Sequence, residues 1–582
     1  MIKKDTKIIV YQILTRLFGN LTTTNAFSGD LATNGVGKFN DVNTAALQAL
    51  KAFGITHVWY TGVIEHATQT DYSVYGIKPD HPDVVKGKAG SPYAIKDYYD
   101  VDPDLAESVE HRMQEFEALV KRTHDTDLAV IIDFVPNHVA RQYASDRKPD
   151  GVADFGEHDD AAKGFLPDNN FYYIPEQVLV LPESAQKSVS QSTYYEYPAK
   201  ASGNDVFHAY PSVHDWYETV KLNYGINYLN HHQVHFDPIP DTWIKMRDIL
   251  LFWAEKGVDG FRCDMAEMVP VAFWSWVIEQ VQLRYPSCIF IAEIYNPNAY
   301  EDYLFSGKFT YLYDKVGLYD ALRRLVEGGG TVEDITRVWQ QESGTFSDRM
   351  LRFLENHDEQ RIASRYFAGD GFSAFPAMVL AATLHAGPLM LYFGQEIGVN
   401  PTEAEGFQGD DGRTTLFDYW GIPEFQRWVN ENRYDGALLT ENERLLREHY
   451  QWLNHFIRQN EAVHSGQFHD LQYLNSYGQS AGYSHEKLYS YLRFCQNQIL
   501  LFVINFDKNR TYDTAIRISE DVWVHTLGLD TQERYTMVKR GSGVAESPTI
   551  VSARPFSDNG VPLVVPANSF QIFEIRPTPL TQ

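Results

Sequence analysis

The feature that most constrains this fold is a strand signal that returns eight times before residue 400. Runs rich in β-branched and aromatic residues occupy 8–14, 57–63, 128–135, 258–264, 288–294, 309–314, 350–356 and 389–393. Amphipathic helical stretches separate most of them. Residues 108–123 place Met113, Phe116, Leu119 and Val120 on one face, and 242–256 do the same with Ile244, Ile249, Phe252 and Trp253. Gly257 follows the second stretch, where a helix ends on a residue that accepts positive φ. Strand alternating with helix predicts a parallel sheet, and eight such units predict a closed (β/α)8 TIM barrel of the α/β class.

The period breaks once. More than a hundred residues part the third and fourth strands, far beyond an ordinary βα loop. Most of that stretch is rich in Tyr, Asp, Pro and Ser and lacks helical periodicity, which predicts an inserted domain over the barrel mouth. After a helix near 443–458 the pattern changes to short alternating strands, among them 488–494, 499–504 and 569–575. Turns are read at Asp507-Lys508-Asn509 and Asp558-Asn559-Gly560. The expected partition is a first barrel part at 1–138, an insertion at 139–225, a second barrel part at 226–464 and an all-β sandwich at 465–582.

Charge narrows the partners. Fifty Lys+Arg against 77 Asp+Glu leave a net charge of −27, a surface that repels phosphate backbones and anionic membranes. Neither nucleic acid nor membrane is expected as a partner, and no apolar run reaches the length of a membrane span. A neutral ligand such as a sugar suits this surface. Cys263, Cys288 and Cys495 form an odd, sparse set without zinc-type spacing, and each lies in an apolar strand-like run. Free thiols are expected. The N-terminal apolar stretch is short and interrupted by Gln12, so it reads as a first strand and not as a signal peptide, and the expected location is cytoplasmic. Oligomeric state is not legible.

In a (β/α) barrel the C-terminal strand ends form the active face. Here the third run ends Asp133-Phe134-Val135-Pro136-Asn137-His138, the fourth Arg262-Cys263-Asp264, the fifth Ala292-Glu293, and the seventh Glu355-Asn356-His357-Asp358. One carboxylate at a strand end would read as a helix cap; several at one rim call for a shared purpose. Asp264 and Glu293 are 29 residues apart, one strand-helix-strand unit, so they are expected on adjacent strands. Adjacent strands lie about 4.8 Å apart. That allows a carboxyl pair about 5–5.5 Å apart, the retaining-glycosidase arrangement of a nucleophile and an acid. Asp358 is expected across the mouth, gripping sugar hydroxyls. Arg262, two residues before Asp264, faces the same way and holds that aspartate ionised and aimed.

These four segments, in this order, resemble the diagnostic segments of the α-amylase superfamily of glycoside hydrolases. Tyr93 to Tyr98 and Tyr392 to Glu396 also resemble the family's pattern. By that resemblance the nucleophile is Asp264, the general acid/base Glu293 and the transition-state stabiliser Asp358. Arg262 is the family's arginine beside the nucleophile, His138 and His357 bind sugar hydroxyls, and Tyr93 stacks under the sugar. The resemblance implies hydrolysis of α-1,4 bonds in starch-type glucans or maltooligosaccharides through a covalent glycosyl-enzyme. The alternative is transfer to a sugar acceptor, as in a 4-α-glucanotransferase.

The chain also departs from the family. After Asp264 it reads Met265-Ala266-Glu267-Met268, where many relatives carry a Lys-His pair whose histidine carbonyl binds calcium. Glu267 is expected on the acceptor side of the cleft, accepting from sugar hydroxyls, with a helix cap as the other reading. Asn137 matches the family's calcium asparagine, and Asn223 stands near its aspartate ligand. Calcium is left open.

Overall fold

Eight parallel strands close the barrel. The computed structural model describes residues 7–185, 193–407, 409–530, 533–541, 549–552, 556 and 559–578. In chain order the barrel elements are β1 (Ile9–Leu14), α1 (Thr44–Ala52), β2 (His57–Thr61), α2 (Arg112–His124), β3 (Ala129–Phe134), α3 (Asp241–Glu255), β4 (Gly260–Cys263), α4 (Val271–Arg284), β5 (Ile289–Ala292), β6 (Tyr311–Tyr313), α5 (Asp320–Val326), β7 (Met350–Leu351), α6 (Phe375–Thr383), β8 (Leu389–Tyr392) and α7 (Glu441–Gln459). The sheet runs β7-β6-β5-β4-β3-β2-β1-β8, and a parallel bridge between Arg352 and Leu389 joins its two edges.

The strands are buried on both faces, as parallel strands wrapped in helices must be. Two readings shift in detail. The face that α3 buries is Trp243, Met246, Ile249, Leu250 and Trp253, whereas Ile244 is 40% exposed. Spacings of three and four from Trp243 follow the helix period; Ile244 lies off that stripe. The predicted strand 350–356 narrows to Met350–Leu351, with Arg352 adding the bridge to Leu389. Beyond it the chain turns, because the Glu355 carboxylate holds Arg361 and the Ile362 amide. Gly257 does adopt φ +91, ending α3 as expected.

Between β3 and α3 the described residues form short pairings, His138–Ala140 with Thr219–Lys221, Tyr173–Ile174 with Ala199–Lys200 and Ile226–Asn227 with Gln233–Val234. A small apolar cluster including Ile174, Leu179, Leu181 and Tyr217 holds this segment together.

The C-terminal strands are β9 (Gln467–Asp470), β10 (Leu488–Cys495), β11 (Gln498–Asn505), β12 (Tyr512–Ile516), β13 (Arg534–Arg540), β14 (Thr549–Ser552), β15 (Val561–Val565) and β16 (Ser569–Pro577). An antiparallel sheet β9-β10-β11-β16-β13-β14 is covered by the pair β12-β15. Alternation along β11 serves two cores: Leu500, Phe502 and Ile504 join the barrel side, Leu501 and Val503 the core between the β layers. Asp507 Oδ1 accepts from the Asn509 and Arg510 amides, the expected turn; Asp558, where the other turn begins, lies outside the described residues. The three cysteines are free, Cys495 partly exposed. Among the described residues no helix is long and apolar enough to cross a membrane.

Candidate active site

Strand register sets the centre of the site. Cys263 of β4 pairs with Ala292 of β5, so Asp264 and Glu293 follow side by side where the ladder ends. Arg262 pairs with Asp133 of β3 on its other flank. The buried Arg262 guanidinium reaches three of these acids. Nη1 lies 2.8 Å from Asp264 Oδ1 and 3.4 Å from Asp133 Oδ1, and Nη2 lies 2.7 Å from Glu293 Oε1. Its Nε donates to Tyr313 Oη at 3.2 Å, and its face packs among Trp59, Tyr93 and Tyr313. A planar fork with several fixed donors does what a lysine could not, orienting two carboxylates at once.

Backbone groups fix the same acids. Met265 takes a left-handed conformation (φ 42, ψ 44), unusual for a side chain of this kind, and its amide donates to Glu293 Oε2 at 2.8 Å. Asn356 Oδ1 accepts the amides of Asp358 and Glu359, which shapes the turn carrying Asp358.

His357 lies 3.2 Å from Asp358 Oδ2 through Nε2. Gln12 Nε2 from β1 lies 2.8 Å from its Nδ1, while the ring Nε2 faces Tyr93 Oη and Asp358. The Tyr93 ring stacks near His357, with centroids 5.3 Å apart. His138 rests against Trp216 of the inserted segment, centroids 5.1 Å apart. Burial, then Arg262, holds His357 well below the ordinary imidazole range; burial, then Lys221, lowers His138 to about 3. Both rings are neutral hydrogen-bonding groups at pH 7.

Burial, then the charge of Glu293, pushes the Asp264 carboxyl well above its usual range, against the pull of Arg262. Asp358 is raised to about 7 by loss of water contact and then by Glu293. Its side chain keeps 35% exposure at the mouth, so this desolvation comes from the cleft walls and solvent moderates it. Asp133 is raised to about 6 by burial, opposed chiefly by Arg262. Such crowded acids do not titrate as isolated carboxylates.

Glu267 is turned toward the loop after β5. Its Oε2 accepts the backbone amides of Tyr295 at 3.2 Å and Asn296 at 3.1 Å. It does not cap α4, whose N-cap position is Pro270. Sequence reasoning missed Tyr295, whose hydroxyl donates to Glu293 Oε1 at 2.7 Å. It also gave no role to Asp133, Trp59, Tyr313 or Gln12. Asp133 stood in a motif already noted, and its period-two place on β3 was the available signal.

The expected calcium donors do not fit the ion. The buried Lys221 ammonium donates to Asn137 Oδ1 and, at 3.3 Å, to the Met268 carbonyl, and it pairs with Asp205 at 2.8 Å. A fixed positive charge therefore stands between two of the expected oxygens. The Asn223 amide is spent on the Leu166 and Asn169 carbonyls and on the Gly225 amide.

Comparisons with known proteins give the following likenesses. The family profile described as the α-amylase catalytic domain matches residues 12–287. α-Amylase 3 of Dictyoglomus thermophilum is 23% identical over 350 residues, covering 57% of this chain and 60% of that protein. An α-1,4-glucan:maltose-1-phosphate maltosyltransferase of Cereibacter sphaeroides is 37% identical over 92 residues, 15% of this chain and 16% of its own. The chain thus spans about three fifths of the first curated relative and a small part of the second. A noncanonic maltogenic α-amylase of Thermotoga neapolitana superposes with a TM-score of 0.60 at 20% identity, over 98% of this chain and 99% of that one.

Proposed function

The chain belongs to the α-amylase superfamily, and from that premise we propose that it hydrolyses α-1,4-glucosidic bonds of starch-type glucans or maltooligosaccharides with retention of configuration. The observation that carries this reading is the Arg262 fork, which holds Asp264 Oδ1 and Glu293 Oε1 at 2.8 and 2.7 Å. Carboxyls shared by one guanidinium on adjacent strand ends are near neighbours, which favours direct attack over an interposed water. In this scheme Asp264 attacks the anomeric carbon while Glu293 protonates the departing oxygen. A glycosyl ester forms on Asp264. Glu293 then takes a proton from the incoming water, which breaks the ester. Asp358, His357 and His138 hold sugar hydroxyls, and Tyr93 lies under the ring. The net charge of −27 repels phosphate backbones and anionic membranes and suits a neutral glucan as partner.

The 37% stretch shared with a maltosyltransferase favours one second reading, in which a sugar hydroxyl replaces water in the final step. Incubation with maltoheptaose separates the two. Products no longer than the substrate mean hydrolysis, and longer ones mean transfer. Early proton NMR should show the α-anomer; initial β-anomer contradicts double displacement. Asp264→Asn and Glu293→Gln should each lower turnover by several orders of magnitude, and activity within tenfold of wild type in either removes the assignment.

A further inference from the structure

A second group of acids lies outside the candidate active site, where the hairpin formed by Ile64–His66 and Ile95–Val101 meets the root of the inserted segment. Asp97 is satisfied there. It accepts the amides of Tyr99, Asp146 and Arg147 and the Ser145 hydroxyl, which ties residues 145–147 to the hairpin. Asp100 and Asp146 share Arg112 through their Oδ2 atoms.

Glu65 breaks the pattern. Its side chain points into this group, the residue is 1% exposed, and both of its carboxylate oxygens are buried without a hydrogen-bond partner among the described residues. One oxygen each from Glu65, Asp100 and Asp146 lie within 4.8 Å of one another. Lys96 is spent on Asp80 at 2.9 Å, and the Arg147 side chain is half exposed. Among the described residues two buried cations act on this group, Arg112 on Asp100 and Asp146 and Lys96, at longer range, on Glu65. A buried carboxylate with no donor is costly unless a proton or a cation neutralises it.

We propose that Glu65, Asp100 and Asp146 bind a divalent cation, calcium, which ties the hairpin to the root of the inserted segment. The donors are all hard oxygens. Two from Glu65 and one from each aspartate supply part of the six to eight that calcium takes, with water completing the shell. Asp146 keeps 22% side-chain exposure and gives the ion its way in. The burial and neighbouring aspartates that push the Glu65 carboxyl well above its ordinary range are what a bound cation would offset.

The test is calcium titration of the EDTA-treated full chain by calorimetry, with thermal melts in EDTA and in millimolar CaCl2. About one ion per chain and a calcium-dependent rise in Tm are expected. Glu65→Gln keeps the shape and removes the charge; Asp146→Asn, at the exposed edge, is the second variant should the first fail to fold. Each folded variant should weaken binding roughly tenfold or more and shrink the rise in Tm. The proposal is overturned if wild type shows neither binding heat nor a Tm response, which would leave Glu65 as a protonated acid. It is equally overturned if either folded variant keeps the wild-type calcium response.

Discussion

Tyr295 Oη donates to Glu293 Oε1 at 2.7 Å, the same oxygen that lies 2.7 Å from Arg262 Nη2. The candidate acid is thus oriented by a residue two positions along its own chain and by an arginine on the neighbouring strand. Tyr295→Phe removes the hydroxyl and keeps the ring. We expect kcat to fall about tenfold, the worth of one hydrogen bond to a charged group, with KM and Tm nearly unchanged. Steady-state kinetics on a maltooligosaccharide check this; an unchanged kcat would mean that Tyr295 has no part in placing Glu293.

Glu267 acts one step further back, since its carboxylate holds the Tyr295 and Asn296 amides. Glu267→Ala should lower kcat through the loosened loop. If the effect runs through Tyr295, adding Glu267→Ala to Tyr295→Phe should cost less than the two single losses combined, with a coupling of about 0.5–3 kcal/mol. Strict additivity in the double-mutant cycle would separate the two residues.

Asp358 carries a pH signature. Its carboxyl rises from 3.8 to about 7 on folding, so across that interval the folded chain keeps a proton that the unfolded chain releases. The stability it contributes is fully present below the unfolded value and is lost as pH climbs through about 7. Asp358→Asn removes this loss. The Tm difference, variant minus wild type, should therefore be larger at pH 8 than at pH 4.5. Melts at the two pH values test the sign, and a constant difference would contradict it.

Lys221 is buried, with its ammonium among Asn137, Met268 and Asp205. Lys221→Met should destabilise the fold by about 1–3 kcal/mol, because it leaves buried acceptors without a donor. The figure stays modest because Asp205 keeps 38% side-chain exposure and can turn to water. Urea denaturation measures the loss; an unchanged midpoint would mean that these acceptors find other partners.

Local pattern carried far in this chain. Eight apolar runs spaced by helical stretches specify a barrel, because pleat and helix periods are properties of neighbouring residues. The acids at the strand ends were legible for the same reason, Asp264 and Glu293 by their separation of one strand-helix-strand unit. The turn at Asp507 and the helix end at Gly257 were equally local.

Contacts between distant segments were decided by the tertiary structure alone. Lys221 reaches Asn137 across 84 residues and Met268 across 47, and places a positive charge where sequence resemblance suggested calcium donors. Gln12 reaches the His357 ring across 345 residues. Position placed Glu267 on the acceptor side of the cleft; only the tertiary structure shows its Oε2 accepting an amide from a loop 28 residues further along. Glu65 shows no motif at all; its meaning comes from burial beside Asp100 and Asp146. Periodicity reports which face of an element is covered, whereas a side chain's partner depends on the packing of elements whose separation along the chain carries no such signal.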